Sequence, residues 1–162
     1  MKTRCAWSAI MDSSICTKLR NGVSTGSAEE TEALAAEFAQ TLPADTTLAL
    51  HGDLGAGKTT FVRGLARGLG VTGTITSPTF ALYNLHRGKR SLLHLDAYRL
   101  ENPREVDDLL LEDFLSSPWC LVIEWPEKID SWVPADALHL DFGIAPDERH
   151  TIRLRQSSRT AT

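Results

Sequence analysis

Cysteine is scarce in this chain. Cys5, Cys16 and Cys120 make three, an odd number with no C-x-x-C pair. That argues against a disulfide framework or a zinc cluster and for reduced thiols in a cytosolic protein. No apolar run approaches the roughly 18–20 residues that a membrane span needs. A large excess of one charge is missing too, since 17 basic residues stand against 21 acidic ones. A broad basic footprint for nucleic acid is therefore not expected, which leaves room only for a small local patch. The five histidines show no metal-ligand spacing; His94, alternating with apolar residues, reads as packed or hydrogen-bonded. No repeat or low-complexity linker interrupts the sequence. At 162 residues it has room for one domain with a real core. Residues 1–14 mix Lys2 and Arg4 with Trp7 and Ile10 but hold no apolar stretch long enough for a signal peptide. They are expected to form a disordered extension, with Met11 as an alternative start. Residues 15–156 then make the single domain and 157–162 a frayed tail.

What the chain does have is the run His51-Gly52-Asp53-Leu54-Gly55-Ala56-Gly57-Lys58-Thr59-Thr60. From Gly52 to Thr59 it fits the phosphate-loop pattern G-x-x-x-x-G-K-[ST], with an apolar run, Leu48-Ala49-Leu50, before it and a helical segment after it. Gly52, Gly55 and Gly57 let the backbone turn tightly and aim successive N–H groups at phosphates. The N-terminus of the next helix adds partial positive charge at the same place. Lys58 can reach the β and γ phosphates, and the Thr59 hydroxyl can ligate magnesium. Thr60 either bonds the α phosphate or simply starts the helix. Asp53 would repel phosphates, so it should face away or pair with a cation. His51 stands beside the loop, where phosphate contact is the weaker reading. A plain glycine-rich turn would explain neither the lysine nor the threonine.

Around this run the pattern is α/β. A first strand is expected within residues 16–25. Ser27-Ala28-Glu29-Glu30 is a capping-box signature for a helix with Leu34, Phe38 and Leu42 on one face, ended by Pro43. Lys58 to Leu69 forms the helix behind the loop, stopped by Gly70. Phe80 to Leu85 and Ser91 to Leu95 read as a hairpin around Arg87-Gly88-Lys89. Pro103 sits at a helix start, and Val106, Leu109, Leu110 and Leu115 supply that segment's apolar face. Leu121-Val122-Ile123 suits a buried parallel strand, and 137–144 and 149–154 read as closing strands. The expected fold is a P-loop NTPase-like three-layer α/β fold with a mostly parallel central sheet and an antiparallel hairpin.

A phosphate loop needs a partner carboxylate for magnesium, usually at the carboxyl end of a neighbouring strand. Two strands end suitably, one in Asp96 and one in Glu124, and α/β sheets gather such ends on one edge. Glu124 is favoured as the magnesium-side acid, directly or through water, with Asp96 orienting the attacking water; the two roles can be exchanged. Ser77-Pro78-Thr79 is either a switch loop with Thr79 near the γ phosphate or a loop stiffened by Pro78. Trp125 is core or a partner-facing aromatic.

Together, Gly52 to Thr60, Ser77-Pro78-Thr79-Phe80, His94-Leu95-Asp96-Ala97-Tyr98-Arg99-Leu100 and Ile123-Glu124-Trp125-Pro126 resemble the TsaE (YjeE) family. These are small bacterial ATPases of tRNA threonylcarbamoyladenosine biosynthesis. The resemblance runs from about Ser24 to Leu154, and four motifs in register make it specific. It implies a cytoplasmic P-loop ATPase that joins two partners, TsaB and TsaD, and meets tRNA only through that complex. TsaD transfers the threonylcarbamoyl group, and the ATPase supports turnover. The resemblance puts Leu54, Gly55, Ala56, Gly57, Lys58 and Thr59 on ATP, and Thr59 and Glu124 on Mg2+. Asp96 matches the aspartate the family needs for activity. Ser27 and Arg149 match residues near the nucleotide, on looser motif support. One departure stands out: where the family usually has glycine, in the segment 108–113, this chain has Leu110.

Two other readings compete. A small-molecule P-loop kinase needs an acceptor pocket and an arginine-rich lid, for which Arg99, Arg104 and the Arg87–Arg90 hairpin are thin material. A GTP-binding module needs the guanine-reading [NT]-K-x-D motif, and Thr17-Lys18-Leu19-Arg20 lacks its aspartate. The mechanism expected is that Lys58 and the loop amides clamp the β and γ phosphates while Asp96 or Glu124 positions water. With no arginine finger evident near the loop, turnover should be slow alone and dependent on partners.

Overall fold

Four apolar strands run parallel at the centre of the molecule, and the rest of the chain is arranged to cover them. The computed structural model describes residues 10–76, 78 and 81–156. Residues 1–9, the tail at 157–162, and Ser77, Thr79 and Phe80 of the expected switch loop lie outside the described residues. Among the described residues seven strands form one sheet: Val23–Thr25 (β1), Thr46–His51 (β2), Tyr83–His86 (β3), Ser91–Asp96 (β4), Trp119–Glu124 (β5), Leu138–Ile144 (β6) and His150–Leu154 (β7). Their order is β1-β7-β6-β2-β5-β4-β3. β2 pairs in parallel with β5 and β6, and β4 with β5. Antiparallel pairs close the sheet at each side, β3 with β4, and β6 with β7 with β1. The hairpin and the parallel centre are those expected.

One face of the sheet is covered by three helices, Ser14–Asn21 (α1), Ala28–Thr41 (α2) and Lys58–Gly68 (α3). Leu48, Leu50, Leu92, Val122 and Leu140 point into that core and meet Phe38, Phe61 and Leu65. Leu93, Leu95, Leu121 and Ile123 point the other way, into a second core closed by Leu100, Val106, Leu111 and Ile129. Its cover is thinner: a short helix, Arg104–Asp107 (α4), and the 3-10 segments Leu111–Phe114 and Pro126–Trp132. α2 and α3 pack unusually closely. A Cβ on Gly68 would stand 2.6 Å from the Ala36 carbonyl oxygen, and one on Gly64 would run into the Glu32 backbone. Glycine inside a helix costs roughly 1 kcal/mol per position, and this helix contact offsets it. The Ser27 cap is present, its Oγ accepting from Glu30 N at 3.2 Å; the Glu30 carboxylate reaches back to Gly26 N at 2.7 Å.

Two local expectations are corrected. The strand expected within 16–25 exists only as β1, and its first part is α1. A strand there would set Cys16, Lys18 and Arg20 on one face. The helical period instead buries Ile15, Cys16 and Leu19 together and leaves Lys18 to solvent. Ser13 Oγ accepts from Cys16 N at 3.4 Å to start the helix, and Gly22, at φ 90°, ends it. The second correction concerns the apolar face expected after Pro103. Leu110 adopts left-handed geometry (φ 51°, ψ 45°), which breaks the helix and turns the chain so that Leu111 enters the core while Leu110 stays 59% exposed.

Candidate functional site

The phosphate-loop run leaves β2 at His51 and re-enters regular structure at Lys58, the first residue of α3. Between them Gly52, Gly55 and Gly57 all take positive φ, at 145°, 81° and 104°. Gly57 is the N-cap of α3. Gly52 also passes so close to β6 that a Cβ there would sit 2.6 Å from the Phe142 carbonyl oxygen. The result is a curl of backbone with a helix N-terminus at its centre, a cradle for a polyanion.

Lys58 is buried. Its Nζ donates to the Gly52 carbonyl oxygen and lies 3.9 Å from the centroid of the Trp125 ring. Burial lowers the Lys58 pKa, while Glu124, Glu127, Asp96 and Asp53 oppose that fall. Across the cleft, parallel pairing sets Asp96 beside Glu124, the last residues of β4 and β5. Thr59 Oγ1 lies 3.5 Å from Glu124 Oε1. Asp96 Oδ1 accepts from Tyr98 N at 3.0 Å, yet burial pushes its carboxyl above the usual range, with the Glu124 charge adding to the rise. Leu54, Gly55, Gly57, Lys58, Thr59, Thr60, Asp96, Glu124, Trp125 and His150 line one cleft of about 220 Å³.

The structure therefore brings together most of the residues singled out from sequence. Within the loop Ala56 is buried and Leu54 is 75% exposed. Asp53 is exposed, and its carbonyl oxygen accepts from Ala56 N. Ser27 and Arg149 are not among the residues lining the cleft. Ser27 caps α2, and Arg149 donates from Nε to Ser24 Oγ and from Nη2 to Ser24 O, both at 3.1 Å. His51 does not line the cleft either: its Nε2 lies 2.8 Å from His139 Nδ1, and its Nδ1 lies 3.6 Å from Glu127. Sequence reasoning missed His150. Its Nδ1 lies 2.9 Å from the Ala56 carbonyl oxygen, and no local motif marks it, because only the β6–β7 pairing carries it under the loop. Trp125, expected to be core or a partner-facing aromatic, instead forms a wall of the cleft.

The donor set suits magnesium. A hydroxyl and two carboxylates offer hard oxygen atoms, and Mg2+ takes one or two carboxylates and completes its shell with phosphate oxygens and water. Among the described residues no cluster of three or more His, Cys, Asp or Glu is arranged to hold a metal unaided.

Comparison with known proteins fits this geometry. The family model described as "Threonylcarbamoyl adenosine biosynthesis protein TsaE" matches residues 25–153. The chain belongs to the TsaE family. A relative from Bacillus subtilis, named tRNA threonylcarbamoyladenosine biosynthesis protein TsaE, is 38% identical over 125 residues, 76% of this chain and 78% of its own. One of the same name from Synechocystis is 49% identical over 98 residues, covering 57% of this chain and 62% of that relative. Among solved structures, the crystal structure of Bacillus subtilis YdiB superposes with a TM-score of 0.69 at 31% identity, covering 82% of both chains. Family and fold support nucleotide binding by this chain, on the P-loop architecture expected from the sequence. Among the described residues no helix is long and apolar enough to cross a membrane.

Proposed function

We propose that this chain is the magnesium-dependent, ATP-binding and ATP-hydrolysing subunit of the apparatus that makes tRNA threonylcarbamoyladenosine. In this reading it works in the cytoplasm with TsaB- and TsaD-type partners and supports turnover of the threonylcarbamoyl-transfer complex. The observation that carries it is the convergence of Lys58, Thr59, Asp96 and Glu124, from three separate segments, on one cleft. The names of the relatives supply the pathway. ATP is preferred over GTP because the chain lacks the guanine-reading motif.

The loop amides and the α3 N-terminus hold the β and γ phosphates, and the Lys58 ammonium leaves the Gly52 carbonyl to join them. Thr59 and Glu124 would hold Mg2+, which would supply neutralisation of the phosphate charge. Asp96 orients the attacking water; its raised pKa suits a group that must take up a proton. Among the described residues no arginine lines the cleft, which supports slow turnover in isolation and stimulation by partners. The acidic balance of the chain supports indirect rather than direct contact with tRNA.

The test is phosphate release from ATP and GTP, by this chain alone and with TsaB and TsaD. Stimulated, ATP-selective release is expected. Glu124→Ala should keep nucleotide binding while stimulated hydrolysis falls roughly 100-fold or more. Unchanged hydrolysis would remove Glu124 from the mechanism. Transfer of phosphate to a small-molecule acceptor would replace the ATPase reading with a P-loop kinase.

A further inference from the structure

One buried polar group beside the cleft has no part in the mechanism above. His94, in the middle of β4, is 0% exposed. It shares a sheet face with Leu92 and Asp96, the face on which α3 lies, and it is set beside Val122 of β5 by parallel pairing. Its Nε2 lies 3.2 Å from Glu124 Oε2, with both side chains almost wholly enclosed. The two atoms do not form a hydrogen bond as they stand, and neither ring nitrogen has a hydrogen-bond partner. An imidazole enclosed without partners is unfavourable, and an apolar residue would fill the same space without that penalty. The other oxygen of the same carboxylate, Glu124 Oε1, faces Thr59 Oγ1. One side chain each from β4, β5 and α3 therefore stand in a row, His94 to Glu124 to Thr59, ending at the cleft.

We propose that His94 is a positioning residue for Glu124: its Nε2–H holds Oε2 of the carboxylate, so that Oε1 stays turned towards Thr59 and the magnesium position. A carboxylate fixed at one oxygen presents the other in a single orientation, which is how outer-shell partners tune a metal site. His94 touches neither nucleotide nor metal and acts only through Glu124. The inference rests on the magnesium role proposed above for Glu124. Its rival is a packed core histidine, for which the position of the ring nitrogens is immaterial.

Two substitutions in the full chain separate the two. The amide nitrogen of His94→Gln reaches the place of Nε2, whereas that of His94→Asn is too short and falls near Nδ1. Both are polar and neither overfills the site. Calorimetry of ADP binding at graded Mg2+ is the readout. Half-saturation by Mg2+ should rise roughly tenfold in His94→Asn and stay within about threefold of the unsubstituted chain in His94→Gln. Binding of ADP without Mg2+ should be the same in all three. Asn and Gln variants that behave alike, whether both normal or both impaired, overturn the proposal. Nitrogen-15 NMR of the unsubstituted chain decides it even if neither variant folds: an Nε2–H tautomer is expected, and an Nδ1–H tautomer overturns it. The binding arm does not depend on turnover. A chain that fails to hydrolyse ATP with both partners present would sink the ATPase reading and leave this comparison standing.

Discussion

The two walls of the cleft are built in opposite ways. The loop wall is one continuous stretch, Gly52 to Thr60, and its left-handed turns fall on glycines. The acid wall is assembled from the ends of β4 and β5 and the turns beyond them. There the left-handed residue after Glu124 is Trp125, at φ 57°, and in the cover of the same strands it is Leu110, at φ 51°. Left-handed geometry costs a residue with a Cβ roughly 1–2 kcal/mol and costs glycine almost nothing sterically. The difference follows from what each wall presents. The loop offers backbone N–H groups, so a side chain there would only be in the way. The acid wall offers side chains: the Trp125 ring lies under Lys58 Nζ, with its centroid 5.1 Å from that of Tyr98. Strain is tolerated where the side chain is used. Leu110 is the exception, since it bears the same strain with its side chain largely in solvent.

The largest effect is expected at Gly52. Its φ of 145° and the closeness of Phe142 O leave a Cβ no room. Because the obstacle is backbone of β6, it cannot turn aside as a flexible side chain could. Gly52→Ala should lose roughly 2–3 kcal/mol in urea denaturation and bind nucleotide at least about tenfold more weakly as the cradle opens. Stability equal to that of the unsubstituted chain would show that the loop wall can shift, and that its glycines are not required by geometry.

The same contrast explains what was legible in the sequence. The loop wall is local, so Gly52 to Thr60 could be read directly, each residue type having a reason at its position. Asp96 and Glu124 could be named because each ends an apolar strand, but their adjacency is a product of β4–β5 pairing. His150 carried no signal at all, since β7 approaches the loop only through β6. α1 differs from the expected strand because residues 16–25 contain too little alternation to distinguish a strand from a helix, and the helical period buries Ile15, Cys16 and Leu19 together. Leu110 was flagged as a departure from glycine, and the structure supplies the reason: it occupies a left-handed position.

On the acid wall, Asp96 tests whether function is held there against stability. Burial raises its folded pKa above the value in the unfolded chain. Between those two values the folded state binds the proton and the unfolded state does not, so stability falls as pH rises through that window. Above it, the ionised carboxylate carries the full penalty. Asp96→Asn removes the charge and can keep the bond from Tyr98 N. Its thermal midpoint should rise at pH 7 and match the parent below the unfolded pKa, where Asp96 is neutral in both states. Partner-stimulated hydrolysis should meanwhile fall about tenfold or more. A lower midpoint at pH 7 would show that ionised Asp96 stabilises the fold.

The smallest effect is expected at Leu110. Leu110→Gly removes the left-handed strain, worth about 1 kcal/mol or more, and returns roughly half of it through the greater freedom of glycine in the unfolded chain. The net gain should be about 0.5 kcal/mol, read as a higher urea midpoint with an unchanged slope. Leu110→Ala is the control. It keeps the Cβ, and with it the strain, while discarding the exposed remainder of the side chain, so it should not gain stability. If alanine stabilised as much as glycine, the benefit would come from trimming an exposed apolar group and the strain argument would fail. If glycine gained and alanine did not, the strain at Leu110 would be backbone geometry alone. Nucleotide binding should be unchanged in both, because Leu110 lies outside the cleft. That outcome would divide Trp125 from Leu110, Trp125 bearing strain for a ring that lines the cleft beside Lys58 and Leu110 bearing it without return inside its own fold.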